Sequence, residues 1–482
     1  MLFNSFEFML FLPIVFLLYW KVFKKLSQQN LLIVVASYIF YGWWNWRFLF
    51  LILITTLFSY GSGLAIEHFQ GDRHRQKMVS IGNIILNVGI LGIFKYYNFF
   101  VESLQELLSL TGIHLDWPTM NIILPVGISF YTFQALSYSI DVYRGKIQAT
   151  HDLVAFFAFI SFFPQLVAGP IERATNLLPQ FIKPRMFDYD TAVDGCRQIL
   201  WGFFKKCLIA DVCAMSLNNI WMDYQHQSGL VLLNGAILFT FQIYGDFSGY
   251  SDIAIGTAKL FGIRLLNNFN YPYFSRSIPE FWRRWHISLM TWFRDYIYFP
   301  LGGSRCPKWK TIRNTFIVFG ISGIWHGANW TFVSWGLYHA YILSAFIYFG
   351  IHTKHDHPAA YGHLLPNRKE ATQMLYTFIL VAIGWIIFRA ESLPQAWDYI
   401  SRIFTAFTDA GPKISYQKRP YLFIFVMLVI EWLQRTRPHG LYMPADSSIF
   451  SKQPVRWCLY IVMILTIMLF KGAQGEFIYF QF

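Results

Sequence analysis

Apolar runs close to the ~20 residues needed to cross a bilayer core recur along almost the whole of this 482-residue chain. They fall at about 6–20, 31–46, 48–66, 79–99, 121–140, 229–245, 314–326, 330–350, 372–388, 419–432 and 456–470. The chain is 55% hydrophobic and carries only 13% charged residues, against roughly 25% in ordinary soluble domains. The pattern predicts an all-α, polytopic membrane protein. Several runs fall short of a full crossing, so tilted, broken or re-entrant helices are expected among them.

The formal net charge is +13. In a soluble protein that excess would suggest nucleic acid; here it sits in short loops between apolar runs, where positive charge fixes topology. No nucleic-acid partner is expected. Lys21, Lys24 and Lys25 follow the first run, and Arg73, Arg75 and Lys77 follow the third. Glu102, Glu106 and Asp116 lie after the fourth without a basic residue. This alternation places the N-terminus outside. The first run lacks a basic leader and a small-x-small cleavage site, and so reads as a retained anchor. Cys196, Cys207, Cys213, Cys306 and Cys458 have no metal or disulfide spacing. No repeat or long polar linker divides the chain, which predicts a single membrane domain over 1–482.

Regularity fails between about 141 and 313, where Pro164, Pro170, Pro179 and Pro184 interrupt the pattern. Irregular backbone at membrane depth is tolerated only inside protein or along a cavity, so this region is the expected working part. Within it, Ser277 and Glu280 have capping-box spacing, with Pro279 in the first turn. Trp282, His286, Leu289, Phe293 and Ile297 follow at helical intervals, and Pro300, Gly302 and Gly303 end the run. One amphipathic helix is expected, lying at or dipping into the inner interface. Arg305, Lys308, Lys310 and Arg313 put its exit on the cytoplasmic side.

The residue types capable of chemistry cluster in a few places. His326, within Trp325-His326-Gly327-Ala328-Asn329, is an imidazole in an apolar run, costly to hold there and therefore a functional candidate. On a continuous helix, Ser322 and Asn329 lie one turn away on either side and either can orient the ring, while Gly323 and Gly327 admit a close neighbour. The plainer role is a core histidine bonded to a carbonyl. His286 sits on the apolar stripe between arginines, with packing alone as its plainer role. Arg283, Arg284 and Arg294 are candidates for donor phosphates, or equally for lipid headgroups. Asp246, Ser248 and Asp252, in the run from Tyr244 to Asp252, suit substrate positioning; pairing of the carboxylates with an arginine is the structural alternative. Phe163 to Arg173 reads as broken or re-entrant, or else as a turn. His352, His355, His357 and His363 lie in a polar loop without zinc spacing, and no metal site is assigned. His339 is left outside the catalytic set.

Together, Pro125 to Tyr131, Phe163 to Arg173, Tyr244 to Asp252, Phe281 to Leu289, Asp295 to Gly303 and Trp325 to Asn329 resemble the membrane-bound O-acyltransferase family. The likeness is closest to its bacterial branch of alginate and peptidoglycan O-acetyltransferase membrane components. The resemblance implies a multi-helix bundle with re-entrant and interfacial helices around a central tunnel. His326 would stand in that tunnel, and His286 is implied as a second functional residue. It also implies a cytoplasmic acyl donor and an acceptor reached from the other face.

An imidazole with a pKa of ~6.5 can take the proton of an acceptor hydroxyl as it attacks a thioester carbonyl. His326 would do this, with Asn329 or the backbone near Gly327 facing the oxyanion; an acyl-histidine intermediate is the other route. The expected activity is transfer of acetyl from a cytoplasmic thioester, acetyl-CoA, across the bacterial inner membrane for O-acetylation of a cell-envelope polysaccharide. No cofactor is expected to be bound. The chain has no G-x-S-x-G elbow, and the branch implies a periplasmic partner of the SGNH-hydrolase-like type. The aromatic end, Glu476 to Phe482, is a packing or docking element or an interfacial anchor. D-alanyl transfer to teichoic acid-type acceptors is the alternative within the class; a proton-coupled transporter using His286, His326, Asp246 and Asp252 is the rival from outside it.

Overall fold

The computed structural model describes all residues except 115–116, 121, 168, 352–354, 356, 408–417, 444–451, 474, 476 and 479–482. Among the described residues the regular structure is entirely helical. Five helical stretches are long and apolar enough to cross a membrane: Leu26–His68, Arg73–Ser109, Gly229–Leu260, Arg368–Arg389 and Gln453–Phe470. Along the last of these, Ile461, Val462, Ile464, Leu465, Met468 and Leu469 are exposed and Met463 alone is buried. A helix apolar on every side and exposed on most of them is shaped for lipid. The chain is a multi-pass membrane protein.

Two compact units divide the chain, Met1–Ala192 with Thr257–Leu266, and Val193–Gly256 with Asn267–Phe482. In the first, the helix Ile128–Tyr143 is buried along nearly its whole length. The apolar run expected over 121–140 becomes helical only there; the preceding residues around Pro125 and left-handed Gly127 are not helical, and Asn121 lies outside the described residues. Buried polar groups tie neighbouring helices: Ser59 Oγ donates to Asn83 Oδ1 at 3.2 Å, and Asn87 Nδ2 donates to the same oxygen at 3.1 Å. Phe163–Leu166 is a short helix, and the described residues from Val167 to Arg173 are not helical. It is buried, and Glu172 accepts hydrogen bonds from Asn176 Nδ2 (2.6 Å) and Leu266 N–H (2.5 Å). The segment is broken chain inside protein rather than a surface turn; Ala168 lies outside the described residues.

Close helix packing in the second unit depends on missing side chains. A Cβ on Gly336 would lie 2.2 Å from the Phe319 carbonyl oxygen, and one on Gly323 would lie 2.4 Å from that of Phe332. These contacts bring the helices Lys308–His326 and Trp330–Tyr348 backbone to backbone, as small residues permit in membrane bundles. Gly320 on the same helix faces open space. Gly336→Ala is therefore expected to cost roughly 1–3 kcal/mol through overpacking. Gly320→Ala should be neutral or stabilising by up to about 1 kcal/mol, since alanine is the better helix former. Thermal unfolding of the two variants in one detergent tests the contrast; equal midpoints would refute the seam.

Candidate active site

The segment from Ser277 to Pro300 is not the single helix that its periodicity suggests. It forms a helix over Ile278–Arg284, breaks at Trp285–His286, resumes over Ile287–Phe293 and widens into a π-helical turn over Arg294–Tyr298. His286 sits at the break with φ 44° and ψ 51°, a left-handed conformation rare and strained for a residue with a Cβ. Half of the expected capping box is present: Ser277 Oγ accepts the Glu280 N–H at 3.3 Å. The Glu280 carboxylate instead receives the Arg276 N–H and the guanidinium groups of Arg276 and Arg284. Periodicity missed the break because both short helices keep their apolar sides buried.

The break turns the His286 ring into an aromatic enclosure. Phe247 meets it edge-on at 4.6 Å between centroids, and Trp325 lies at 5.9 Å. The His326 ring is 6.5 Å away. His286 Nδ1 bonds to Asn268 Oδ1 at 3.1 Å. Burial lowers the pKa of His286 from 6.5 to about 3, so its imidazole is neutral at physiological pH.

His326 is the last residue of the helix Lys308–His326, and Gly327 breaks the chain in an extended conformation. The helix therefore does not run on to Asn329 as the spacing reading supposed. Trp335 at 5.0 Å, Trp325 at 5.0 Å and Phe388 at 5.5 Å surround the His326 ring. Ser322 Oγ is buried without a hydrogen-bond partner among the described residues, so it does not hold the imidazole. Asn329 caps the next helix, accepting the Thr331 N–H at 2.9 Å, and its amide donates to the Glu391 carbonyl at 2.9 Å. With Ala328, Phe332 and Arg389 it lines a cleft of about 590 Å³. The 19-residue helix spans about 28 Å, so this cleft opens at the end far from Lys308. His339 packs nearby and accepts the Trp282 indole N–H at 3.3 Å, as a structural histidine would.

Of the expected carboxylates Asp246 is buried and Asp252 partly so, and their partners are lysines rather than arginines. Asp252 takes Lys205 Nζ at 2.6 Å and Gln198 Nε2 at 2.7 Å. Asp246 takes Lys206 Nζ at 2.8 Å, and the same ammonium reaches Asp211 at 2.9 Å. A glycine seam makes this possible: a Cβ on Gly202 would lie 2.6 Å from the Gly249 carbonyl oxygen, so the two helices meet directly and the lysines face the aspartates. Ser248 donates back to the Tyr244 carbonyl at 2.6 Å. It lines a small polar pocket with Lys205, Asp252, Asn268 and Glu431. Asp246 also accepts the Ile478 N–H at 2.7 Å, which draws the C-terminal chain inward until Phe477 packs on Tyr250 and Phe247. Tyr479 to Phe482, like Glu476, lie outside the described residues.

Of the three arginines, Arg284 is tied to Glu280 at 2.9 Å and to the Asn270 carbonyl, Arg283 is exposed, and Arg294 pairs with Asp295 at 2.8 Å. In the histidine loop, the His357 ring stacks on Tyr361 and its carbonyl accepts from Arg276; His352 is outside the described residues. Lys205, Lys206, Asn268 and Glu431 were missed by sequence reasoning. The lysine pair carried a signal, because it interrupts an apolar stretch with no turn residue beside it; Asn268 carried none.

Two buried imidazoles 6.5 Å apart, both packed against Trp325 inside a helical membrane protein, mark a candidate catalytic centre. Residues 38–377 match the membrane-bound O-acyltransferase family, MBOAT, and the chain belongs to it. It is 42% identical to a probable alginate O-acetylase AlgI of Pseudomonas aeruginosa, over 84% of this chain and 75% of that protein. It is 37% identical to the Pseudomonas putida AlgI over the full length of both. The peptidoglycan O-acetyltransferase of Helicobacter pylori is 31% identical over 98% of this chain and 95% of that protein. The chain is an O-acyltransferase.

Proposed function

We propose that this enzyme takes acetyl from cytoplasmic acetyl-CoA and passes it across the bacterial inner membrane for O-acetylation of a cell-envelope polysaccharide of the alginate or peptidoglycan kind. The observation that carries the reading is the pair of imidazoles 6.5 Å apart. His326 ends a helix just before Ala328 and Asn329, which line a cleft, and the other end of that helix bears Lys308, Lys310 and Arg313. Basic residues favour the cytoplasmic side, so donor and acceptor approach the histidines from opposite faces, and the N-terminus lies outside. Arg283 and Arg294 receive the donor phosphates, and lipid headgroups flank them. In the reaction His326 removes the proton of the acceptor hydroxyl. The oxygen bonds to the acetyl carbonyl carbon, the C–S bond breaks, and the thiolate leaves and is protonated.

The names of the relatives support the acetyl group and the polysaccharide acceptor. The cleft is small beside a polymer, which favours a periplasmic SGNH-hydrolase-like partner as the immediate recipient. Asn329 shapes the mouth of the cleft, while Asp246, Ser248 and Asp252 hold the wall behind His286. Detergent-purified protein with radiolabelled acetyl-CoA tests the donor: acetate release or acetyl transfer above a no-enzyme control is expected. Turnover with a D-alanyl carrier and none with acetyl-CoA would replace the donor; silence with every thioester, partner supplied, would reject the reading.

A further inference from the structure

His286 has two ring nitrogens, and only the unprotonated one can accept a proton or a hydrogen bond from substrate. Which nitrogen that is depends on the group facing the other. Asn268 faces Nδ1, and its amide orientation follows from its remaining neighbours. The backbone N–H of Ser288 points at the same Asn268 atom at 3.4 Å, and the Ser288 hydroxyl lies 2.7 Å from it. A backbone N–H can only donate, so that atom is the carbonyl oxygen Oδ1. The amide nitrogen, turned the other way, donates to Ser251 Oγ at 3.2 Å. The main chain fixes the pair again, with the Ile287 N–H bonded to the Asn268 carbonyl at 2.9 Å. Asn268 and His286 are both 1% exposed, so water has little access with which to reverse the assignment.

An oxygen at 3.1 Å from Nδ1 requires a proton there. Nε2 is then the lone-pair nitrogen, and it has no hydrogen-bond partner among the described residues. We infer that Asn268 is the positioning residue that holds His286 in its Nδ1–H tautomer, on a strained left-handed turn, and so presents Nε2 as a ready acceptor. Ser251 and Ser288 complete the bracket by occupying the rest of the amide. The kinetic consequence rests on the acyl-transfer reading above; the tautomer itself does not.

Nitrogen-15 NMR on protein labelled at histidine, with the His286 signal assigned by its loss in His286→Gln, reads the tautomer directly. The parent is expected to show a protonated Nδ1 and a bare Nε2, and Asn268→Ala to lose that preference. Asn268→Asp keeps an acceptor oxygen at Nδ1 and should retain it. With acetyl-CoA as substrate, Asn268→Ala is expected to lower kcat by roughly 10- to 100-fold, as loss of an orienting partner does, with KM for the donor changed by less than about 3-fold; Asn268→Asp should recover much of kcat. A parent protonated at Nε2 would overturn the inference whether or not the variant folds, and so would an Nδ1–H signal that survives Asn268→Ala. The expected tautomers without any thioester turnover would leave the positioning role standing and count against the proposed function.

Discussion

His326→Ala is expected to abolish acyl transfer, with kcat down by on the order of 10²–10⁴ and little change in folding. The small structural cost follows from the site: the ring is packed on edge by Trp325, Trp335 and Phe388, and those rings also pack on each other, as in Trp335 on Phe388 at 5.2 Å. The enclosure therefore survives loss of the imidazole, and the deficit falls on the chemical step. His286→Ala should leave less intact, since it also removes the partner of Asn268 and leaves alanine strained at a left-handed position. Activity and thermal midpoint measured on both variants separate the roles. Normal turnover in His326→Ala would remove that residue from the chemistry, whereas a collapsed midpoint would make it a packing residue.

The helical class was legible because lipid leaves an apolar stretch little choice of structure; the runs at 31–46, 48–66, 79–99, 229–245, 372–388 and 456–470 lie in helical stretches long and apolar enough to cross a membrane. His326, His286, Asp246 and Asp252 were legible for a related reason: polar groups in apolar runs are costly and so conspicuous. Legibility ended where local pattern and tertiary geometry part. The stripe from Trp282 to Ile297 reads as one helix, yet His286 breaks it, because an aromatic enclosure drawn from distant segments, Phe247 and Trp325 among them, receives the ring there. Treating basic residues as loop markers hid Lys205 and Lys206, which are buried beside their aspartates. Asn268 left no trace in spacing because its role depends on a left-handed turn 18 residues later.

Lys206→Met is expected to destabilise the protein by about 3–5 kcal/mol, the cost of removing one partner from a buried ion pair. Lys206 Nζ lies between Asp246 and Asp211, at 2.8 and 2.9 Å, and reaches the Gly475 carbonyl at 3.3 Å. All three side chains are nearly inaccessible to water, so the substitution leaves two carboxylates facing each other without a cation. Asp246→Asn and Asp211→Asn added to Lys206→Met should recover much of the loss, because a neutral set no longer holds an uncompensated charge. The same clasp fixes the chain around Ile478 through the Asp246 carboxylate, and Phe477 then supports Phe247, the ring that meets His286 edge-on. Loss of Lys206 is therefore expected to weaken activity as well as stability, and to expose the C-terminal residues to carboxypeptidase. Thermal unfolding, turnover and C-terminal mass measured together test the linkage. A lowered midpoint with parental turnover and an intact C-terminus would show that the ion cluster braces the helices without supporting the histidine site.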